Sequence, residues 1–348
     1  MEEKKLTARE IIEGYNGPKL RIMEVCGTHT HEIFRLGIRS LLPENIEVIS
    51  GPGCPVCVTP VGFIDMAIEL ALGKGCTVCT FGDLIRVPGS EMSLADARAK
   101  GAKVKIVYTA TDALDYAVEN PEEQVVFLSV GFETTTPGTC LAVKRAAKAN
   151  VQNFSVLTAN KTMPNAYKAL KGSADAFIYP GHVNAITGEK DCRELAENDG
   201  VSGVIAGFTA KELLTALAVI IKKSESGEPF FVNCYPRVVT AEGNIPSKAI
   251  IEEIMEPCDE QWRGLGVIPQ SGLRLREEFS AYDAVKKHGI PVIEGKPNPG
   301  CRCGEVLQGK CKPEDCPLFG KVCTPQHPVG ACMVSNEGSC SAYYQYRI

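Results

Sequence analysis

The chain has 348 residues, which at about 150 residues per domain predicts two or three domains. Its 37 Lys and Arg against 42 Asp and Glu give a net charge of -5 without a basic run, so the electrostatic footprint of a nucleic-acid-binding protein is missing. The longest apolar run, Leu213 to Ile221, has about half the length of a membrane-spanning helix, and the charged segment MEEKKLTAREIIEGY lacks the apolar core of a secretory signal. These features predict a cytoplasmic protein that binds neither nucleic acid nor membrane.

Cysteine is unevenly distributed along the chain. Of the 16 cysteines, nine lie in residues 1–300 and seven in residues 301–340. A chain of this length buries enough apolar surface to fold without covalent cross-links. In a reducing compartment, clustered cysteines more often bind metal or carry out redox chemistry than form structural disulfides. We therefore treat the C-terminal cysteines as a candidate cofactor site.

From Lys19 to about Phe208, short β-branched or apolar runs alternate with segments of helical spacing. The strand candidates are residues 20–25, 46–50, 77–81, 104–109, 125–130, 154–158, 176–179 and 203–208. The clearest helical segments are residues 33–42, 63–72, 141–149 and 213–221. This alternation predicts buried parallel strands joined by crossover helices. We expect eight such units to form two sheets of four strands.

After Ser224 the alternation weakens. FFVNCYPRVVTAEGNIP is typical of a strand followed by a loop, IPSKAIIEEIM of a helix, and from Asn298 onward Pro, Gly and Cys dominate. Boundaries near residues 118 and 240 divide the chain into two α/β segments, 1–118 and 119–240, and a Cys-rich segment, 241–348.

Chemically active residues follow six of the predicted strands. The segments after these strands are CGTHTH, GPGCPVC, GD, GFETTTPG, ANKTMP and PGHV. In open α/β sheets, ligands bind outside the carboxyl ends of the strands. The pattern therefore predicts that these segments converge on one cleft.

Two of these segments contain thiols. In CPVC, Cys54 and Cys57 lie between a strand and a helix, where the helix dipole stabilises a thiolate and the spacing suits a disulfide or a metal. The alternative is a turn rich in Gly and Pro that happens to contain cysteines. In CGTHTH, Cys26 and His29 suit a transition metal or an activated nucleophile, the alternative being a structural His beside a Cys.

Other motif residues have competing interpretations. Asp83 and Glu133, each at a strand end, are candidates to orient a ligand or accept a proton, or else cap the next helix. Cys76 and Cys79 share the CxxC spacing but fall within a strand, where residues three apart face opposite sides, which predicts buried structural thiols. GFETTTPG lacks the Lys of a phosphate loop, and G-x-G-x-x-G is absent, which disfavours nucleotide binding.

The tail cysteines have the spacing C-x-C-x7-C-x4-C-x6-C-x8-C-x7-C. This is neither the paired CxxC of a zinc ribbon nor the compact ferredoxin run. Four thiolates bind one 4Fe-4S cluster, so seven cysteines indicate a cluster beside a redox-active pair, with one thiol left over. Zinc with spare thiols is the alternative, because thiolates suit both metals.

These motifs, in this order, closely resemble those of the HypD family of nickel-iron hydrogenase maturation proteins. The resemblance runs from about residue 20 to the C-terminus. It is carried by CGTHTH, GPGCPVC, TFGDLIRVPGS, VGFETTTP, YPGHV, YPRVVTAEGN, RGLGVIPQSGLRLR and the tail that begins CRCGEVLQGK.

The resemblance implies two parallel-sheet, Rossmann-like α/β domains around a cleft, plus a C-terminal Cys-rich iron-sulfur domain. It also implies a cytoplasmic scaffold, rather than a conventional turnover enzyme, that helps assemble the Fe(CN)2CO unit of the hydrogenase active site. The implied partners are HypC, a small chaperone that shares the iron, and HypE, which supplies cyanide, with the chain a monomer within this hetero-complex.

The resemblance also assigns residues. Cys26 becomes the iron ligand, with His29 beside it, and Cys54 and Cys57 a redox pair in the same cleft. The 4Fe-4S ligands become Cys301, Cys316, Cys323 and Cys340, and Cys303 and Cys332 a nearby redox-active disulfide, leaving Cys311 without a role. Two other functions stay open: a general thiol-disulfide oxidoreductase that uses Cys54 and Cys57, and a zinc-stabilised assembly platform without a redox role.

Overall fold

The computed structural model describes residues 6–346. The first five residues, which begin the charged N-terminal segment discussed above, and the last two lie outside the described part. All eight predicted strands are present, and three further strands follow them. The strands are β1 Leu20–Glu24, β2 Ile46–Ser50, β3 Thr77–Thr80, β4 Val104–Ile106, β5 Val125–Gly131, β6 Phe154–Lys161, β7 Ala176–Pro180, β8 Gly203–Ala206, β9 Phe231–Asn233, β10 Met255–Trp262 and β11 Gly266–Leu275.

Helices connect these strands, and the C-terminal region contains short helices separated by turns and loops. The α-helices are α1 Ala8–Glu13, α2 Gly27–Arg35, α3 Pro55–Val58, α4 Val61–Ile68, α5 Leu94–Ala99, α6 Ala110–Glu119, α7 Thr136–Lys148, α8 Met163–Ala169, α9 Gly181–Thr187, α10 Lys190–Asp199, α11 Ala210–Ser224, α12 Ile245–Ile254, α13 Ala284–His288, α14 Cys303–Leu307 and α15 Ser339–Gln345. A π-helical segment, Glu69–Gly73, extends α4, and 3-10 helices span Ile38–Leu41, Gly82–Arg86, Glu277–Tyr282, Pro313–Asp315 and Ala331–Met333. Within the described residues, no helix is long and apolar enough to cross a membrane.

The strands form two sheets, as predicted, but with five and six strands rather than four each. The first sheet has the order β2-β1-β7-β8-β9 and is entirely parallel. The second has the order β10-β11-β6-β5-β3-β4, in which β4, β3, β5 and β6 are parallel and the hairpin β10-β11 adds antiparallel strands. The α/β class with two mainly parallel sheets and a Cys-rich C-terminal region is thereby confirmed.

The sheets are not continuous in sequence. The chain leaves the first sheet after β2, builds the parallel part of the second sheet from β3 to β6, and returns to the first sheet at β7. Residues 1–118 and 119–240 therefore each contribute strands to both sheets, and the segment from 241 adds the hairpin to the second. The chain passes from one sheet to the other after β2, after β6 and after β9, and of these passages only the last lies near one of the sequence boundaries.

The apolar core has a separate part for each sheet and a shared part near the tail. Cys76 and Cys79 are both buried and pack into different clusters, as expected for residues three apart at a strand. A third cluster joins Val25, at the carboxyl end of β1, to Phe132 after β5 and to the buried cysteines of the tail. The Cys-rich segment is therefore packed against the strand ends.

Trp262, the single tryptophan, anchors the added hairpin. Its side chain is fully buried, its Nε1 donates a hydrogen bond to Ser271 Oγ at 2.7 Å, and its ring stacks on Phe132 at 5.9 Å between centroids. The hairpin is thereby held against the residue that follows β5.

We expect Trp262→Ala to lower the free energy of unfolding by about 3–5 kcal/mol, because it leaves a large cavity and removes the hydrogen bond from Trp262 Nε1 to Ser271 Oγ. Chemical denaturation followed by circular dichroism measures the change. The control is Val292→Ala, since Val292 is 80% exposed. A Trp262→Ala variant within about 0.5 kcal/mol of that control would contradict this role.

Candidate functional site

Cys26 lies where β1 ends and α2 begins. Its extended backbone caps the helix, and the following residue, Gly27, donates its N–H to the Gly53 carbonyl at 3.1 Å. A Cβ on Gly53 would lie 2.1 Å from the Cys26 nitrogen, so only glycine allows the GPGCPVC loop to approach this closely. The CGTHTH and GPGCPVC motifs are thus brought into contact, as the strand-end pattern predicts.

The Cys26 thiol is held in its protonated form. Burial raises the pKa of Cys26 to about 12, and hydrogen bonds from the backbone of His29 and Thr28 oppose that rise, while the charge of Glu337 adds to it. Such a thiol loses its proton when a metal cation binds, since the metal ligand is the thiolate.

His29, three residues after Cys26, is a neutral imidazole that packs against the residues following β8. It is fully buried, and burial lowers its pKa to about 4. Its Nε2 lies 3.0 Å from the Gly207 carbonyl, which assigns the proton to Nε2 and leaves Nδ1, which has no hydrogen-bond partner, as an acceptor. The ring stacks on Phe208 at 4.6 Å, and His182 of the PGHV segment stacks on Phe208 at 4.0 Å.

The second imidazole of CGTHTH, His31, points elsewhere. Residues two apart on a helix lie on different faces. His31 Nε2 is 3.1 Å from the hydroxyl of Tyr346, so this imidazole contacts the end of the chain rather than Cys26.

Cys54 and Cys57 lie at the start of the short helix α3. Cys54 caps the helix, and its Sγ accepts the N–H of Cys57 at 3.4 Å. Both thiols are buried, with 3% and 0% of their surfaces exposed. Burial, together with contacts to the thiols of Cys332 and Cys54, raises the pKa of Cys57.

Cys332 is the centre of the tail. Its thiol contacts those of Cys303, Cys340 and Cys57, and these contacts lower the pKa of Cys332 because they stabilise its thiolate. All sixteen cysteines are unbridged, so Cys303 and Cys332 meet as thiols. The thiol contacts therefore extend from the tail to the CPVC helix.

The remaining tail thiols surround this centre. Cys301 contacts Cys303, and a Cβ on Gly330 would lie 2.6 Å and 2.5 Å from their sulfur atoms. Cys323 Sγ accepts the Val329 N–H at 3.3 Å. Cys316, Cys323 and Cys340 belong to the same buried cluster, which does not include Cys311.

Soft thiolate donors in such number, approached by glycine backbone, fit an iron-sulfur cluster. In the part of the chain that the structure describes, no three Cys, His, Asp or Glu side chains form a site for a single metal ion. A 4Fe-4S cluster differs in that its four ligands bind four separate iron atoms.

The two predicted carboxylates have different surroundings. Glu133 is buried, and burial raises its pKa to about 7. Its Oε1 accepts the Met163 N–H at the start of α8 at 2.9 Å, so it does cap a helix, although not the helix that follows it. Its Oε2 is buried without a hydrogen-bond partner. Asp83 is exposed in the 3-10 helix Gly82–Arg86 and takes part in none of the contacts described above.

Sequence reasoning missed Glu337 and Arg263, which both bridge separate parts of the chain. Glu337, between Cys332 and Cys340, accepts the Thr28 hydroxyl at 2.8 Å. Arg263 follows β10 and donates from Nε to the Thr59 carbonyl at 2.8 Å, just beyond the CPVC helix. Glu337 was detectable only from its place among the tail cysteines, and Arg263 only from the RGLG motif.

Comparison with known proteins agrees with this arrangement. The family model for HypD, described as "Hydrogenase formation hypA family", matches residues 3–347. A hydrogenase maturation factor HypD of Azotobacter vinelandii is 43% identical over 354 residues, which cover 99% of this chain and 93% of that protein. The proteins of the same name from Escherichia coli and Rhodobacter capsulatus are 45% and 44% identical, over 94% of this chain and 89% of each relative. The chain therefore belongs to the HypD family of hydrogenase maturation factors.

Proposed function

We propose that this chain is the scaffold on which the Fe(CN)2CO unit of nickel-iron hydrogenase is assembled, and that thiol chemistry within the chain accompanies the assembly. The observation that carries the proposal is the contact between the thiols of Cys57 and Cys332. It links the CPVC motif, beside Cys26, to the Cys-rich tail. Family membership supports the general role in hydrogenase maturation.

In this proposal, Cys26 holds the iron together with a HypC-like chaperone, and a HypE-like protein delivers cyanide. The iron replaces the proton of the Cys26 thiol, and burial of the site keeps water from the metal. The neutral His29 of the same motif offers an unpaired Nδ1 as a hydrogen-bond acceptor for a ligand. Glu133, with its raised pKa, is a proton acceptor near neutral pH.

Electrons reach the CPVC pair by thiol-disulfide exchange. The Cys332 thiolate attacks Cys57 of a Cys54–Cys57 disulfide, which forms a Cys57–Cys332 bond and releases Cys54 as a thiolate. The Cys303 thiolate then attacks Cys332, which forms Cys303–Cys332 and releases Cys57. The net result moves two electrons from the tail pair to the CPVC pair, and the released thiolates take up protons from solvent.

We assign Cys301, Cys316, Cys323 and Cys340 as ligands of a 4Fe-4S cluster, with Cys303 and Cys332 as the adjacent redox pair. A cluster bound there would store and supply single electrons. The compact packing of these thiols around Gly330 and Cys332 supports the assignment. We further propose that the chain works in the cytoplasm as a single copy within the hetero-complex.

The general oxidoreductase is less consistent with the geometry, because a disulfide in an external protein must reach an exposed attacking thiol. Cys54 and Cys57 are buried, which favours exchange with a thiol of the same chain. A zinc-stabilised platform would use the same thiolate donors, and metal analysis distinguishes it from an iron-sulfur protein.

Anaerobically purified chain is expected to contain about four iron and four inorganic sulfides per polypeptide, because the tail offers four thiolate ligands beside a separate thiol pair. Metal and sulfide analysis measures both. Colourless protein with about one zinc per chain, and no labile sulfide, would instead identify the zinc platform.

We expect Cys26→Ala to lose at least about nine-tenths of the cyanide and CO infrared bands of the complex purified with its HypC partner, since the thiolate that binds the iron is gone. The matched control is Cys258→Ala on the edge strand β10, which should keep the bands. Both variants should keep the circular dichroism spectrum of the unmodified chain. Full-strength bands in Cys26→Ala would refute its role as the iron ligand.

A further inference from the structure

The turn between β10 and β11 is seated directly on the Cys-rich tail. Gly264 in this turn has φ +83°, and a Cβ there would lie 2.4 Å from Gly304 Cα in α14. The side-chain amide of Gln308 donates to the Gly264 carbonyl. This close fit fixes the position of the preceding residue, Arg263.

Arg263 is also bound to the CPVC side of the site. Its backbone N–H donates to the Val58 carbonyl at 2.8 Å, and its Nε donates to the Thr59 carbonyl at 2.8 Å. Both acceptors lie at the end of, or just after, α3. Three anchors therefore leave the guanidinium little freedom.

One terminal nitrogen of the guanidinium lacks a hydrogen-bond acceptor. Arg263 Nη2 is buried and has no hydrogen-bond partner. A buried charged donor without an acceptor is costly, so the fold holds Nη2 towards an acceptor that the polypeptide itself does not provide.

Cysteines of the tail lie in the same cleft as this guanidinium. This cleft of about 1100 Å³ is lined by Arg263, Cys301, Cys303 and Gly330. The side chain with the unpaired Nη2 and the two cysteines thus line the same cleft.

We propose that Arg263 is a positioning residue for the tail site: its Nη2 donates a hydrogen bond to a sulfide of the iron-sulfur group bound there, and its charge raises the reduction potential of that group. The inference rests on the proposed function, because it needs the cluster. Addition of one electron makes the site more negative by one charge, and a fixed cation beside a ligand sulfur stabilises the reduced form more than the oxidised form.

The chain offers a matched control in Arg302, which lies between Cys301 and Cys303 in sequence. Its guanidinium pairs with the carboxylate of Glu305, and its side chain is 36% exposed. Arg302→Gln therefore removes the same charge near the same cysteines from a solvated position, where water and salt screen its effect.

The experiment is an anaerobic redox titration of the full chain with dithionite, in which dithionite supplies one electron per site and the reduced cluster is followed by electron paramagnetic resonance. We expect Arg263→Gln to shift the reduction equilibrium about tenfold towards the oxidised form, about 59 mV for one electron. Arg302→Gln should shift it less than about twofold. An unchanged potential in Arg263→Gln, or an equal shift in both variants, would overturn the proposal and leave a water molecule as the partner of Nη2.

If Arg263→Gln fails to fold, Arg263→Lys carries the test. Lysine keeps the charge but has no planar fork to reach both Thr59 and a sulfur, so we expect about a threefold shift in the same direction. The absence of a shift in Arg263→Lys would overturn the proposed hydrogen bond from Nη2 and leave the charge as the sole effect of Arg263. A cluster signal in the unmodified chain with an unaltered potential in the variants refutes this inference alone, whereas absence of any cluster signal in the unmodified chain refutes the proposed function as well.

Discussion

The Cys332 thiol, in contact with Cys57, Cys303 and Cys340, is the interaction on which the arrangement depends. Thiols from the tail and from the CPVC helix meet there in the absence of any disulfide. The chain can pass so close only because glycine flanks the contact: a Cβ on Gly338 would lie 2.2 Å from the Cys332 carbonyl oxygen. Contact with three neighbouring thiols lowers the pKa of Cys332, which favours its thiolate, the form that attacks a disulfide.

The contact between Cys332 and Cys57 is maintained because other residues hold the tail against the strand ends. Arg86 donates to the carbonyls of Pro325 and Val334 at 2.9 and 3.2 Å. Arg39 donates to the Tyr343 hydroxyl at 3.0 Å and packs over its ring, while Glu337 holds Thr28 beside Cys26. A shift of the tail would therefore disturb Cys26, the proposed iron ligand, together with the CPVC pair, which is consistent with the proposed scaffold.

Local patterns predicted much of this fold. Most strands from β1 to β8 are buried and rich in apolar or β-branched residues, and the convergence of CGTHTH with GPGCPVC follows from parallel strands ending at one edge. The hairpin β10-β11 was not predicted, because MEPCDEQW on an edge strand buries only its terminal residues, Met255 and Trp262. Each sheet takes its strands from two separate stretches of the chain, and this was not predicted either, because local sequence patterns do not indicate which strands pair. Glu337 and Arg263 escaped notice because their importance depends on contacts with residues more than 200 positions away.

The most direct test of the account traps the Cys57–Cys332 contact as a covalent bond. In a chain with both Cys54→Ser and Cys303→Ser, Cys57 has lost its CPVC partner and Cys332 has lost the thiol that would resolve the bond, so mild oxidation with glutathione disulfide, acid quenching and peptide mass spectrometry should recover Cys57 joined to Cys332 as the main product. Recovery of Cys57 only as a free thiol or bound to glutathione, in protein whose circular dichroism is native, would contradict the proposed path between the tail and the CPVC helix.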